Sequence, residues 1–185
     1  MIIFELDGTL ADCEHRRHFV DPEKNENFCR WNGDDFRSYK DGQIRLNVKW
    51  KPDWQAFYEA CDQDKLIVST GRIYEHIAYS AFSSEVQIWS GRCESQREKT
   101  LEWIIKNLYW SSANREYLNS TLKMRPIGDN TPDDQLKERW LDAAIAEGKT
   151  VDFVFDGTET GCDMWNRNGI MCFLVKPGSR YEKTI

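Results

Sequence analysis

The sequence lacks the patterns that mark several common classes of protein. Its six cysteines include no Cys-x-x-Cys pair, which argues against zinc-finger and thioredoxin-like sites. No apolar run is long enough to cross a membrane, and the opening "MIIFELDG" reaches acidic residues too soon for a signal peptide. We therefore expect a cytoplasmic protein with reduced cysteines and no membrane partner.

Positive charge is also scarce. The 25 lysines and arginines are outnumbered by 31 aspartates and glutamates, and the net charge is −6. This balance argues against a broad basic groove for duplex nucleic acid, but it leaves room for a small anionic substrate or a nucleic-acid end. The motif G-x-x-x-x-G-K-[ST] does not occur, so we expect no kinase half in this chain.

Strand-like and helix-like patterns alternate along most of the chain. Short apolar runs occur in "MIIF", "VQIWSGR", "TLKM", "VDFVF" and "IMCFLV", and helical periodicity occurs in "RCESQREKTLEWIIKNL" and "DDQLKERWLDAAIAEG". This alternation predicts an α/β fold with a doubly wound, mainly parallel sheet. "LIVSTGR" competes with "VQIWSGR" for one strand; we favour the second, and Thr70 and Arg72 are the alternative site residues if the first is correct.

A segment of different character interrupts this pattern. Residues 19–64 are polar and rich in aromatic side chains, with helical spacing across "PDWQAFYEACD". We predict that residues 1–18 and 65–185 form the core domain and that 19–64 form a small helical cap insertion over the strand ends. Trp31, Trp50 and Trp54 fit either the small core of this cap or a surface that stacks on a base.

Chemically useful side chains follow three of the predicted strands, and a lysine lies on a helix. They are Glu5, Asp7 and Thr9 in "ELDGT", Ser90, Gly91 and Arg92 in "SGR", Lys137 in "QLKER" and Asp156 in "VFDG". Parallel strands place their carboxyl ends at one edge of a sheet, where ligands bind. Carboxylates there can hold Mg²⁺, while a hydroxyl, a backbone amide and cations can bind phosphate oxygens. The alternatives without a functional role are that Asp7 and Asp156 only form turns and that Lys137 is a solvated helix residue.

The order of these pieces resembles the haloacid dehalogenase (HAD) superfamily, whose signature is DxDGT. More narrowly, the chain resembles the 3′-phosphatase domain of phage polynucleotide kinases and their stand-alone relatives. The narrower resemblance rests on "SGRCESQREKTLEWI", "MRPIGDNTPDDQLKERWL" and "VFDGTETGCDMWNRNGIMCFLV", and it covers residues 1–18 and about 65–178. It implies a phage or bacterial, Mg²⁺-dependent phosphomonoesterase whose substrate is a nucleotide or a nucleic-acid 3′-phosphate end.

The resemblance also implies a role for each site residue. Glu5 takes the position of the nucleophile, Asp7 that of the general acid/base, and Lys137 that of the charge-neutralising lysine. The implied phosphate-binding residues are Thr9, Ser90, Gly91 and Arg92, and the implied metal ligands are Glu5, Asp7 and Asp156.

Four positions depart from the family pattern. Glu5 replaces the nucleophilic aspartate, Gly157 and Thr158 stand where Asp and Arg are usual, and Thr131 stands where the loop tends to carry Arg. The longer Glu5 side chain displaces the attacking oxygen by ~1.5 Å, and a misplacement of about 1 Å can cost on the order of a hundredfold in rate. The sequence therefore leaves three hypotheses: a phosphatase impaired by Glu5, a degenerate HAD-fold protein that binds a nucleotide or phosphate in a regulatory role, and a structural subunit with an empty pocket.

A basic cluster, "HRRH" at residues 15–18, follows the first motif. It fits either a contact with a substrate phosphate or a salt-bridged, solvated helix face, and the sequence does not separate the two.

Overall fold

The computed structural model describes residues 1–32, 35–40, 42–80, 85–108 and 115–176. Within these ranges the strands are β1 (Ile2–Glu5), β2 (Ala11–Asp12), β3 (Phe28–Asn32), β4 (Asp35–Lys40), β5 (Gln43–Lys49), β6 (Lys65–Leu66), β7 (Val86–Cys93), β8 (Leu122–Arg125), β9 (Phe153–Asp156) and β10 (Met171–Leu174). The α-helices are α1 (Trp54–Glu59), α2 (Val68–Ala78), α3 (Arg97–Leu108), α4 (Arg115–Thr121), α5 (Asp133–Ala146) and α6 (Glu159–Arg167). Short 3-10 helices span Glu14–Phe19, Pro22–Lys24, Ala60–Gln63 and Glu94–Gln96. None of the helices in the described ranges has the length and apolar character needed to cross a membrane.

The chain divides into two compact units. The first contains Met1–Asp12 and Lys65–Ile185, and the second contains Cys13–Asp64. The first unit is built on a five-stranded sheet with the order β10-β9-β1-β7-β8, in which neighbouring strands run parallel. The predicted parallel α/β fold is therefore confirmed.

Both faces of this sheet are covered by helices, as a doubly wound fold requires. Alternate side chains of β1 point to opposite faces, so Ile2 and Phe4 pack in one hydrophobic cluster and Ile3 packs in the other. The first cluster includes buried side chains from α2, α3 and α4, and the second includes side chains from α5 and α6.

The competition between two candidate strands is resolved in favour of "VQIWSGR". Its residues form most of β7, which pairs with β1 in the middle of the sheet. In "LIVSTGR", by contrast, only Leu66 lies in a strand, and Val68 begins α2. Thr70 is buried within that helix, and Arg72 is exposed on it, so neither is a strand-end residue.

The second unit differs from the helical insertion that we expected. It contains α1 and three 3-10 helices, but also an antiparallel sheet with the order β3-β4-β5. The prediction missed this sheet because the aromatic density of the segment drew attention to helical spacing rather than to the period-two pattern of "QIRLNVK". The placement of this unit as a cap stays a prediction.

A buried ion pair lies within the second unit. The Arg16 guanidinium donates from Nε to Asp64 Oδ1 at 2.8 Å and from Nη2 to Asp64 Oδ2 at 2.6 Å, and both side chains are completely buried. Arg16 also donates to the Phe57 carbonyl at 3.1 Å and lies over the Phe57 ring. His15 Nε2 lies 2.8 Å from the same aspartate. Arg16 therefore serves the interior of this unit.

The tryptophans of the second unit have different surroundings. Trp50 makes an edge-to-face contact with Phe28, with the ring centroids 4.7 Å apart. Trp54 is half exposed and contacts Phe57 and Tyr58. Trp31 lies in β3. These contacts agree with the interpretation of Trp50 as part of a small core.

Candidate active site

Glu5 and Asp156 end two neighbouring strands of the parallel sheet. Glu5 is the last residue of β1, and Asp156 is the last residue of β9. The alternation along β1 places Glu5 on the same face as Ile3, toward α5 and α6. Both acidic side chains are buried, at 5% and 0% relative exposure for the two residues. The carboxyl ends of β1 and β9 therefore place two acidic groups inside the protein.

A single ammonium group joins these carboxylates. Lys137, on α5, is 1% exposed, and its Nζ lies 2.7 Å from Glu5 Oε2 and 3.0 Å from Asp156 Oδ2. A third carboxylate, that of Asp133 one helical turn earlier, lies 2.7 Å from the same nitrogen. Lys137 is therefore not a solvated helix lysine: it neutralises part of the charge of three converging carboxylates.

The N-terminus of α6 holds the Asp156 carboxylate in place. Its Oδ1 accepts hydrogen bonds from the Thr158 backbone N–H at 2.9 Å and from the Thr158 hydroxyl at 2.8 Å. Its Oδ2 accepts from Lys137 and, at 3.4 Å, from the Trp165 indole. A Cβ on Gly161 would lie 2.5 Å from this carboxylate, so only glycine fits there. Hydrogen bonds to both carboxylate oxygens thus fix the orientation of the Asp156 side chain.

Asp7 turns toward Arg92 instead. The Arg92 Nε and Nη2 groups donate to Asp7 Oδ1 at 2.8 and 2.6 Å. The pairing of β7 with β8 is irregular between Ser90 and Cys93, and such a bulge redirects the side chains within it. Ser90 is fully buried, and its Oγ accepts a hydrogen bond from the Arg92 backbone N–H at 3.2 Å. An ion pair therefore joins the turn after β1 to the end of β7.

The turn after β1 carries a buried hydroxyl without a partner. Thr9 is fully buried, and its Oγ1 has no hydrogen-bond partner among the described residues. Gly8, just before it, has a positive φ of 83°. A Cβ on Gly157 would come within 2.6 Å of the Gly8 carbonyl oxygen, so the loop after β9 packs against this turn, backbone to backbone. The unpaired hydroxyl is suited to a phosphate oxygen.

Two further site residues, Asp133 and Arg125, were not predicted. Arg125 donates to the Gly91 carbonyl at 3.0 Å, to the Thr131 carbonyl at 2.5 Å and to Asp133 Oδ1 at 3.2 Å. A Cβ on Gly91 would lie 2.3 Å from Asp133 Oδ1, so Gly91 makes room for this carboxylate. The available signal was the i, i+4 spacing of Asp133 and Lys137 on the predicted helix.

Burial and local charge shift the pKa values of the central groups in different directions. Burial raises the pKa of Glu5 well above its usual range; Lys137 opposes this rise, and Asp156 and Asp133 add to it. Burial also acts against the charge of Lys137, but the three carboxylates outweigh it, so the pKa of Lys137 is raised. For Asp156, burial acts to raise the pKa, yet Lys137 and the hydrogen bonds from Glu5 and Thr158 lower it. Of the two buried carboxyl groups, Glu5 is therefore the one that retains a proton more readily.

Comparison with known families shows which family the chain belongs to. Residues 51–179 match the family model described as the polynucleotide kinase PNKP phosphatase domain, which is a HAD family. The chain belongs to this family. The matched range contains Ser90, Gly91, Arg92, Lys137 and Asp156 and begins after Glu5 and Asp7. The predicted membership of the HAD superfamily, and of its PNKP 3′-phosphatase-like branch, is thereby confirmed.

Two solved structures share the fold of this PNKP-type phosphatase domain. A structure of the Pnkp1/Rnl/Hen1 RNA repair complex and a structure of the Pnkp1/Rnl/Hen1 complex contain chains that match with TM-scores of 0.59 and 0.60 at 21% and 22% identity. They cover 96% of this chain and 42% and 46% of the matched chains, so this chain spans less than half of their length. A magnesium complex of a HAD family enzyme from Bacteroides thetaiotaomicron matches with a TM-score of 0.46 at 12% identity. No curated protein sequence matches the chain.

Magnesium is the metal that the HAD family implies. Among the described residues, no three His, Cys, Asp or Glu side chains are arranged to hold a metal, so Glu5, Asp7 and Asp156 do not form a three-carboxylate site. Mg²⁺, however, is usually held by one or two carboxylates together with water and substrate phosphate. Glu5 and Asp156 end adjacent strands, and one oxygen of each carboxyl group contacts Lys137 Nζ. They are the two residues that would hold the metal, and the Asp7 side chain is engaged by Arg92.

Proposed function

We propose that this chain is a Mg²⁺-dependent phosphomonoesterase that acts on a nucleotide or on a nucleic-acid 3′-phosphate end, with its turnover reduced by Glu5. The observation that carries the proposal is the contact of Lys137 Nζ with both Glu5 and Asp156, at 2.7 and 3.0 Å, at the ends of adjacent parallel strands. A buried cation between a nucleophile and a metal-binding carboxylate is an arrangement suited to phosphoryl transfer.

The choice of substrate rests on the family and on its structural neighbours. The family is that of the polynucleotide kinase phosphatase domain, and one of the two matched complexes is described as an RNA repair complex. A nucleic-acid 3′ end is therefore the favoured substrate class, with a mononucleotide as its smallest form. The cytoplasmic location and the phage or bacterial source stay predictions from the sequence.

The proposed reaction assigns two successive steps to Glu5 and Asp7. Asp7 takes up a proton from solvent once its carboxylate is released from Arg92. The Glu5 carboxylate then attacks phosphorus, a bond to Glu5 forms as the bond to the sugar oxygen breaks, and Asp7 gives that proton to the sugar oxygen. Asp7 then accepts a proton from a water molecule that attacks the acyl-phosphate, which releases inorganic phosphate and restores the Glu5 carboxylate. Mg²⁺ held by Glu5 and Asp156 would supply positive charge for the phosphate oxygens.

Substrate binding requires Arg92 to change partners. Its guanidinium is committed to Asp7 Oδ1, and an arriving phosphate offers it a more highly charged, bidentate acceptor. We propose that this exchange frees Asp7 for proton transfer once the substrate is in place. Ser90 and the unpaired Thr9 hydroxyl are the remaining candidate phosphate ligands.

A second function, that of a regulatory nucleotide-binding or phosphate-binding protein, is favoured by the state of Glu5. Burial raises the pKa of this carboxyl group, and its Oε2 is bound to Lys137, so it is a weaker nucleophile than an ionised, unpaired aspartate. In this alternative, Arg92 and Lys137 bind phosphate and no turnover follows.

The first test is phosphate release from 3′-nucleotides, 5′-nucleotides and a 3′-phosphorylated oligonucleotide, with Mg²⁺ and with EDTA. We expect turnover of 3′-phosphates with Mg²⁺ that Asp7→Asn abolishes, and an increase of up to about a hundredfold for Glu5→Asp, which corrects the displaced oxygen. Asp142→Asn, on the exposed side of α5, is the control and should retain the parent activity.

The outcomes separate the two functions. If neither the parent chain nor Glu5→Asp releases phosphate but a nucleotide raises the melting temperature, the phosphatase function is rejected and the regulatory function is supported. If there is neither phosphate release nor a thermal shift, both functions are rejected and the hypothesis of a structural subunit with an empty pocket remains.

A further inference from the structure

Two cysteines of the first unit lie next to each other beside the candidate active site. Cys162 belongs to α6 and is buried, whereas Cys172 belongs to β10 and is half-buried. In the parallel pairing of β10 with β9, Cys172 lies opposite Val154, so the two side chains share a face of the sheet. Helix α6 covers this face, because Val154 belongs to the same hydrophobic cluster as Met164 and Trp165 of that helix. The fold therefore places both sulfur atoms in one layer of the protein.

The thiol groups of Cys162 and Cys172 are in direct contact. They share a hydrogen bond with each other, and the Cys162 thiol also donates to the Asp156 backbone carbonyl at 4.0 Å. That carbonyl accepts a second hydrogen bond, from the Val175 N–H at 2.9 Å. Both cysteines are free thiols. Two free sulfur atoms in hydrogen-bonding contact need only a short approach to form a disulfide, whose S–S bond is about 2 Å long.

The pair also has access to solvent on one side. In the described part of the chain, β10 is an edge strand of the five-stranded sheet. Its residues Met171 and Phe173, on either side of Cys172, are 62% and 44% exposed. A small oxidant such as hydrogen peroxide can therefore reach Cys172 without unfolding of the core. Burial raises the pKa values of both thiols, so both are protonated at neutral pH and their oxidation should be slow.

We propose that Cys162 and Cys172 are a redox-active pair, in which hydrogen peroxide closes a disulfide that ties α6 to β10. The Cys172 sulfur attacks one peroxide oxygen and the O–O bond breaks, which leaves a sulfenic acid on Cys172 and a hydroxide that takes the thiol proton to form water. The Cys162 sulfur then attacks the Cys172 sulfur, so that the S–S bond forms as the S–O bond breaks. The departing hydroxide takes the Cys162 proton and becomes a second water molecule. Two thiols are thus oxidised to one disulfide, and one peroxide is reduced to two waters.

The disulfide acts on the candidate site through α6. Asp156 loses the hydrogen bond from Cys162, while Thr158, at the N-cap of α6, still donates to its carboxylate. The cross-link also prevents α6 from separating from β10 in a local opening. Oxidation therefore restricts the helix that orients a buried carboxylate. In a reducing compartment such a disulfide is transient, as is usual for redox-sensing pairs.

The test is the detection of this disulfide in the full chain after treatment with hydrogen peroxide. Arg167 lies between the two cysteines, so trypsin leaves them in different peptides that stay joined only through the disulfide. Remaining thiols are blocked with N-ethylmaleimide before digestion, and mass spectrometry is performed with and without dithiothreitol. Hydrogen exchange on the same samples reports on the opening of α6 and requires no phosphatase activity.

Three variants accompany the parent chain. Cys172→Ser removes the half-buried member of the pair, and Cys162→Ala removes the buried member without adding a buried hydroxyl group. Cys93→Ser is the matched control, because Cys93 is also half-buried and lies in the same unit, at the end of β7. Circular dichroism spectra establish that each variant is folded before oxidation.

The expected results concern the joined peptides and the exchange rates of α6. The oxidised parent chain and Cys93→Ser should both yield the joined peptides, and neither variant of the pair should do so. In the parent, oxidation should slow the exchange of the α6 amides by about tenfold or more, because the usual stabilisation by a disulfide exceeds that factor. Dithiothreitol should restore the original rates. In Cys172→Ser and Cys162→Ala, oxidation should leave the rates unchanged.

Three results would overturn the proposal. The first is the absence of joined peptides from the parent at every peroxide concentration at which the chain stays folded. The second is the formation of joined peptides only in urea, since the pair is then inaccessible in the folded protein. The third is a disulfide without any change in the exchange of α6, which would disprove the coupling to the helix that holds Asp156. None of these measurements uses phosphate release, so failure of the phosphatase proposal would leave this result unaffected.

Discussion

At the scale of the residue, Gly157 is the departure from the family pattern for which the structure gives the clearest reason. A Cβ at this position would lie 2.6 Å from the carbonyl oxygen of Gly8 and 2.7 Å from its carbonyl carbon. Both atoms belong to the backbone, so no side-chain rotation relieves the contact. An aspartate at 157 is therefore incompatible with the observed turn after β1.

Glu5 has a comparable local explanation. Its Oε2 reaches to 2.7 Å from the Lys137 ammonium, and an aspartate at the same backbone position is shorter by ~1.5 Å. Glu5→Asp thus exchanges a close ion pair for a carboxylate nearer to the family position. The two effects act on different quantities, the first on the stability of the cluster and the second on the attack at phosphorus.

Gly157→Ala should lower both stability and activity. The added methyl group overlaps with Gly8, and overpacking of this kind typically costs 1–3 kcal/mol. Because Gly8 lies between Asp7 and Thr9, its displacement should also move these two candidate site residues. Urea denaturation gives the loss of stability, and phosphate release or nucleotide-induced thermal shift reports on the site.

Gly148→Ala is the matched control for this experiment. Gly148 has a positive φ of 79° and open space around it, so alanine there strains the backbone without a clash. It should lower stability by about 1 kcal/mol and leave the site unaffected. Unchanged stability and function of Gly157→Ala would show that the turn after β1 tolerates a shift of its backbone.

At the scale of the element, α6 is coupled to the site through its first turn. The Thr158 side chain accepts a hydrogen bond from the Gly161 N–H at 3.1 Å as the helix N-cap, and donates one to Asp156 Oδ1 at 2.8 Å. One hydroxyl therefore both begins the helix and orients a buried carboxylate. Thr158, at the position where the family usually carries arginine, therefore has a structural role in this chain.

Thr158→Ala should destabilise the protein by about 2 kcal/mol or more. The loss of an N-cap costs about 1 kcal/mol, and the loss of a hydrogen bond to a charged, buried group adds a cost of similar size or larger. Thr158→Ser retains the hydroxyl and should recover most of the stability in thermal or chemical denaturation. If serine is as destabilising as alanine, the methyl group and its packing, rather than the hydroxyl, determine the stability at this position.

At the scale of the whole molecule, the chain consists of two compact units, each with its own buried charge. The first unit buries Lys137 among carboxylates at the candidate active site, and the second buries the Arg16–Asp64 pair. A buried pair is costly to break from one side, because the remaining charge has neither water nor a partner. The stability of the second unit should therefore depend more strongly on Asp64 than on any of its exposed charged residues.

Asp64→Ala should destabilise the second unit by about 3–5 kcal/mol, since it leaves the buried Arg16 guanidinium without its carboxylate. Hydrogen exchange followed by mass spectrometry should show the loss of protection concentrated in residues 13–64. The double substitution Arg16→Met with Asp64→Leu removes both charges and should recover a large part of the stability. An equal loss in the double variant would show that packing, and not the unpaired charge, accounts for the effect.

Much of the core was predictable from the chain alone. The strands around Phe4, Ile88 and Val154 are short apolar runs, and in a parallel sheet such runs are buried on both faces, which makes the pattern strong. The antiparallel sheet of the second unit was missed because its strands mix apolar and charged residues and the aromatic residues of the segment suggested helical spacing.

The candidate site was predicted less completely. Glu5, Lys137 and Asp156 were predicted from strand ends and one helix, and the structure brings them together. Asp133 and Arg125 were missed because their roles depend on contacts across the fold. Asp133 lies against Gly91, and Arg125 donates to the Gly91 carbonyl. Neither contact involves residues that are close in sequence.

The sequence by itself determined the parallel α/β core, the kinds of chemical group at the strand ends and the absence of a general excess of positive charge. These properties depend on local patterns and on composition, which a chain carries before it folds. Only the tertiary structure decided that Asp7 pairs with Arg92 and does not form a three-carboxylate site with Glu5 and Asp156. It also decided that Gly157 has no room for a side chain and that Arg16 is buried. The physical reason is that each of these outcomes is set by distances between segments far apart in the chain, where burial turns an ordinary charge or glycine into a constraint on its neighbours.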